Sequence, residues 1–187
     1  MPSASLNYWR NERIPRLGEI DAQCAACSGA TPPNPHLIDE NLRSFIVLLS
    51  AHFQGYCRDI YTECAMIISS EVRLDLRALV QGQFTTNRKL DQGNPNIENL
   101  KKDFERFGFK LAMADHDPAN HARLAHLRAL NEWRNIAAHY GAVPPAGLPA
   151  LAMIQSWRDS CDGLASSLDD ILYDYLRSLL RGRPWIP

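Results

Sequence analysis

The stretch from Pro35 to Ile68, PHLIDENLRSFIVLLSAHFQGYCRDIYTECAMII, most limits what this chain can become. After its first residue it holds no proline. Phe45, Leu48, Leu49, His52, Phe53 and Tyr56 recur at intervals of three and four, which is one face of a helix. Ser50, Gln54 and Arg58 fall four apart on another face. The pattern predicts one long amphipathic helix, and such a helix needs helical partners to cover its apolar side.

The remaining segments supply those partners. EVRLDLRALVQGQ reads as a second helical piece. NPNIENLKKDFERFGF opens with turn chemistry and then repeats Ile97, Leu100, Phe104 and Phe107. In DPANHARLAHLRALNEWRNIAAHYG, Asp117 is a fitting N-cap, Pro118 suits a first helical position and Gly141 a stop. The segment LPALAMIQSWRDSCDGLASSLDDILYDYLRSLLRG ends in arginines that complement a helix dipole. No stretch alternates as a strand does. The expectation is an all-α fold, an antiparallel bundle of four to five main helices over residues 36–183. Residues 1–35 differ: CSGATPPNPH is loop-like, and NYWRNERIPRLGEIDAQ has room for a short helix. They are expected to form an N-terminal arm outside the helical domain.

Charge narrows the partners. With 187 residues, a formal net charge of −1 and a pI near 6.6, the chain is not a uniformly basic nucleic-acid binder. An anionic partner must be held by a local cluster. The positive charge is mostly arginine, since only Lys89, Lys101, Lys102 and Lys110 are lysines, and arginine grips phosphate through a two-pronged fork. The five cysteines are irregularly spaced, no apolar signal-like run opens the chain, and no apolar run is long enough to span a bilayer. A reduced cytoplasmic protein with free thiols and no membrane partner is expected.

Several chemistries lack support. Cys24 and Cys27 form one CxxC without a second, half of what structural zinc requires, and Cys57 and Cys64 suit helix packing. His116, His121 and His126 are five apart, about 140° of helical rotation each, so they cannot converge as metal ligands on one face. Asp169, Asp170 and Asp174 read as a solvated helix face. There is no phosphate loop, no dinucleotide GxGxxG and no GxSxG. No metal and no cofactor is expected.

That leaves RNIAAHY, residues 134–140. Arg-x4-His alone is a weak pattern in a chain this rich in arginine; its position carries more. Asn131, Asn135 and His139 are successive i, i+4 neighbours on one stripe, with Arg134 beside them, while Leu130, Trp133, Ala137 and Tyr140 form a separate apolar stripe. An arginine and a histidine with only Glu132 as a nearby acid suit a phosphate. The plainer reading, an ordinary polar helix face with His139 favouring the dipole, stands beside it.

This late motif in an all-α chain resembles the HEPN superfamily, in which the motif's arginine is often followed by a polar residue such as asparagine. FIVLLSAHFQGYCRDIYTE resembles the first long helix of the branch described as RiboL-PSP-HEPN or MAE-like, and NPNIENLKKDFERFGF followed by LNEWRNIAAHYG resembles its second half. The likeness spans roughly residues 36–180. It implies a metal-independent endoribonuclease acting as a homodimer, a toxin or phage-defence effector with RNA as substrate and an antitoxin or defence-system protein as a possible partner. By the same resemblance Arg134, Asn135 and His139 are the catalytic set, and Gln54, Arg58, Asn131 and Tyr140 are read beside them as candidate substrate-lining residues. The chain departs from the pattern at two places. Branch members often carry an acid near the position of Gln54, and Tyr140 directly follows His139, whereas members modified on tyrosine carry it one residue later.

The chemistry is coherent without the name. RNA brings its own 2′-hydroxyl nucleophile. Histidine can move the proton, and arginine's fixed fork can hold the nonbridging oxygens of the phosphorane. Products with a 2′,3′-cyclic phosphate and a 5′-hydroxyl follow. Arg134 and His139 lie about 140° apart on a straight helix, so a second chain related by two-fold symmetry completes such a site more easily than one copy alone. The alternative is a HEPN-like module that binds RNA, nucleotide or protein without cutting.

Overall fold

The computed structural model describes residues 2–139, 147–180 and 183–185. Among them every regular element is helical, in agreement with the all-α expectation. Helix α1 (Ala4–Tyr8) runs through a π-helical turn (Trp9–Arg13) into α2 (Ile14–Ser28). Helices α3 (Pro35–Ser70), α4 (Arg77–Thr85), α5 (Ile97–Phe104), α6 (Met113–His116), α7 (Asn120–Ala138) and α8 (Leu151–Leu179) follow. Helices α2, α3, α7 and α8 form the bundle, with α3 touching α2, α4, α7 and α8. No helix among the described residues is long and apolar enough to cross a membrane.

Helix α3 is the central element for reasons legible in its sequence. Asn34 caps it by accepting from the Leu37 N–H at 3.2 Å, and Pro35 takes the first turn, where its missing N–H costs nothing. Phe45, Leu49, Phe53 and Tyr56 are buried as their period requires. Leu48 is partly exposed and His52 half-buried, so the apolar face is narrower than the sequence pattern implies. The Tyr56 hydroxyl donates to the Ala165 carbonyl of α8 at 2.8 Å, which satisfies a fully buried polar atom.

The N-terminal segment is no arm. Trp9 is completely buried, packed edge-on to Phe53 at 5.9 Å and tilted against Tyr56 at 5.7 Å, and its indole N–H donates to Asp162 of α8 at 2.9 Å. Leu6, Leu17 and Cys24 enter the same core. The helix opens into a π turn just before Pro15, whose ring blocks an ordinary bond to the carbonyl four residues back. Arg13 then lies across Gly55, where any Cβ would collide with its guanidinium, and reaches Asp59 at 2.7 Å. Residues 29–34 do form the expected loop.

Asp169 also departs from expectation. It is buried, accepts from the Ser3 N–H at 3.1 Å, and its carboxyl is held above the usual range chiefly by desolvation. Its pairing with the chain terminus was invisible to a reading of local helix faces.

Candidate functional site

Helix α7 begins at Asn120, three residues after Asp117, whose Oδ1 accepts from the Ala119 N–H at 2.9 Å. Asp117 thus caps the entering turn, with Pro118 in that turn and not in the helix proper. Leu127, Leu130 and Ala137 are buried and Trp133 half-buried, so the apolar stripe faces the bundle and aims the 134–139 segment at the surface. The helix ends at Ala138. His139 is its C-cap, with its N–H bonded to the Asn135 carbonyl at 3.3 Å and its ring exposed. Tyr140 and Gly141 lie outside the described residues.

Arg134 is half-buried and donates through Nη1 to Asn135 Oδ1 at 3.3 Å. Among the described residues no carboxylate forms an ion pair with it. The same Asn135 oxygen accepts from the Asn94 side-chain amide at 3.0 Å. A guanidinium left without an acid and fixed at its base by an asparagine keeps most of its donors for an external anion.

Asn94 is placed by a chain of contacts that begins on α3. Gln54 donates its amide to the carbonyls of Leu90 and Gly93, the latter at 2.8 Å. Arg58 pairs with Asp91 at 2.8 Å, and Arg88 with the same carboxylate at 3.0 Å. Burial pushes the Asp91 carboxyl up, but the hydrogen bonds and charges of Arg88 and Arg58 outweigh it and hold the group below its usual range. Asp103, buried on α5, accepts from the Lys89 and Leu90 N–H groups, each at 2.8 Å. Asn96 caps α5 by accepting from Asn99 N–H at 2.8 Å. The 88–96 loop is therefore held from both sides and presents Asn94 to α7.

The structure gives each candidate substrate-lining residue among those described a definite setting. The Gln54 amide is bonded to carbonyls of the 88–96 loop and the Arg58 Nε to Asp91, so both side chains brace that loop. Asn131 is not a surface residue of the polar stripe: it is 7% exposed, and among the described residues neither its Nδ2 nor its Oδ1 finds a hydrogen-bond partner. A cleft of about 590 Å³ runs between the 94–98 segment and α7, with Asn94, Asn96, Asn131 and Asn135 in its wall. Asn94 and Asn96 were missed because nothing local in the NPN turn says which helix it will meet.

Cysteine and histidine readings are simple. All five cysteines are free thiols, and burial, with Asp21 and Cys27 adding, pushes Cys24 up to about 11, a poor nucleophile at neutral pH. His126 shares a hydrogen bond with Ser160 at 2.8 Å, His121 lines the cleft and His116 ends α6. Among the described residues no three His, Cys, Asp or Glu side chains are grouped to hold a metal.

No curated protein and no solved structure matches the chain significantly. The family model described as RiboL-PSP-HEPN matches residues 11–174, from the π turn in front of α2 to the second half of α8, and so takes in most of the N-terminal segment as well as the bundle. The chain belongs to the RiboL-PSP-HEPN family.

Proposed function

We propose that the protein is a metal-independent endoribonuclease that works as a homodimer, in the role of a toxin or phage-defence effector. A HEPN domain points to a nuclease-like or RNA-related module, and HEPN proteins generally include ribonucleases. The observation that carries the reading is the state of Arg134: paired with no acid among the described residues, braced by Asn135, and five residues before the exposed His139.

Arg134 binds the scissile phosphate and stabilises the charge of the phosphorane through its fork. His139 takes the 2′-hydroxyl proton or delivers one to the departing 5′-oxygen. Asn135 orients the guanidinium without titrating. In the resulting step the 2′-oxygen forms its bond to phosphorus as the bond from phosphorus to the 5′-oxygen breaks. The products carry a 2′,3′-cyclic phosphate and a 5′-hydroxyl. Two copies of α7 around a two-fold axis supply the arginine and the histidine from both sides.

Incubation of the purified protein with RNA in the presence of EDTA tests this. Cleavage that survives the chelator and disappears in His139→Ala supports it; intact RNA throughout contradicts it. One observation favours the non-catalytic reading. The position that often bears an acid in this branch is Gln54, and its amide is tied to backbone carbonyls. Tight RNA binding without cleavage is the outcome that reading expects.

A further inference from the structure

We propose that the asparagine-lined cleft between the 94–98 segment and α7 is a nucleobase pocket that selects adenine next to the scissile phosphate. The proposal rests on the ribonuclease reading for its place beside the scissile bond, but the base-binding chemistry belongs to the cleft itself.

Three observations converge. The first is Asn131. A buried amide with both its donor and its acceptor unmatched costs about 1–3 kcal/mol per group, and nothing in the fold recovers that cost. Both amide atoms are shielded from solvent, so it is by turning toward the cleft that the side chain meets a ligand offering one acceptor beside one donor and recovers it. The second is the wall. Ile97, Leu124 and Leu127 give apolar surface for a flat ring, and the exposed guanidinium of Arg128 can stack on such a ring. The third is charge. Glu98 and Glu132 stand in the same wall and disfavour a phosphate inside it, so the occupant is the neutral part of a nucleotide. Its phosphate is left to Arg134, which shares Asn135 with the cleft.

The volume of about 590 Å³ accommodates a nucleotide. Among the bases, adenine presents an adjacent acceptor and donor on both its Watson–Crick and its Hoogsteen edge. Asparagine pairs with it in a bidentate way, which discriminates by about 1–3 kcal/mol against a wrong base. Asn94 and Asn135 spend one atom each on their mutual bond, and their remaining amide atoms border the pocket.

The test uses the full chain and four short 2′-O-methyl homopolymers, which cannot be cleaved, so binding is read apart from catalysis. Fluorescence anisotropy should show the adenine polymer bound about tenfold more tightly than the others. Asn131→Leu should erase that preference and leave the melting temperature unchanged or raised, since the amide holds nothing in the fold. Asn131→Asp, isosteric but unable to donate, should also erase it, which guards against a leucine that fails to pack. Equal affinity for all four polymers, preference for another base, or a preference that persists in both variants overturns the pocket. A selective protein that leaves ordinary RNA uncut overturns the nuclease reading and keeps the pocket. A nuclease that binds all four equally does the reverse.

Discussion

Asn135 Oδ1 accepts two hydrogen bonds, one from Asn94 across the groove at 3.0 Å and one from its neighbour Arg134 at 3.3 Å. That oxygen joins the 88–96 loop to the motif. Anything that moves the loop moves the guanidinium, so the site extends well beyond the residues of the motif.

Asn94→Ala therefore lowers kcat by about tenfold through lost orientation of Arg134, with the fold intact. Single-turnover cleavage beside circular dichroism checks this. A wild-type rate in the variant would mean that Asn135 alone positions the arginine.

Arg134→Ala removes the guanidinium proposed to stabilise the phosphorane and reduces the rate by at least about 10²-fold. His139→Ala loses the proton carrier, a loss of about 10²–10⁴-fold. His139 is exposed and Arg134 half-buried, so neither change lowers the melting temperature by more than a degree or two. Thermal melts run with the cleavage assay separate chemistry from folding.

Asp103→Ala leaves the part-buried Lys89 N–H and the buried Leu90 N–H unpaired and costs about 3 kcal/mol. The loop loses its anchor, so activity falls together with stability. Urea denaturation gives the first number and the cleavage rate the second. A stable but inactive variant would point to a direct role for Asp103 in binding.

Trp9→Ala costs about 3–5 kcal/mol, because it empties the centre of the contact between the N-terminal segment and α3. The midpoint in urea reports it. A loss below about 1 kcal/mol would restore the picture of residues 1–35 as an accessory arm.

Stability depends on pH through His52. Burial, then the charges of Arg13 and Arg16, lower its pKa in the folded chain, and its Nδ1 is enclosed with no partner among the described residues. Below the unfolded value of about 6.5 the unfolded chain takes up the proton first. The melting temperature thus falls as pH drops from about 6.5 toward the folded pKa, and His52→Leu flattens that part of the profile. An unchanged slope in the variant would assign the dependence elsewhere.

The long helices were legible because apolar spacing and caps are local: α3 follows its cap and most of its apolar face, and Leu130, Trp133 and Ala137 of α7 turn toward the core as read. The site was legible only in its motif. Gln54, Arg58 and Asp103 look like ordinary polar positions until the 88–96 loop folds onto them, and their roles are set by bonds spanning 13–39 residues of sequence. Asn131 misled for a related reason. Its spacing puts it on the polar stripe, but the fold leaves it buried in the wall of a cleft shared with the 94–98 segment. Trp9 was hidden by the proline-rich loop that follows α2, which reads as a boundary yet only turns the chain.

The most direct test mixes two dead variants. Arg134→Ala and His139→Ala are each purified, shown to be dimeric, combined under conditions that exchange subunits, and assayed on RNA with EDTA present. If each site takes its arginine from one chain and its histidine from the other, half the dimers are mixed and each has one intact site, so activity returns to about a quarter of wild type. No recovery from verified mixed dimers would contradict a site shared between two copies of α7.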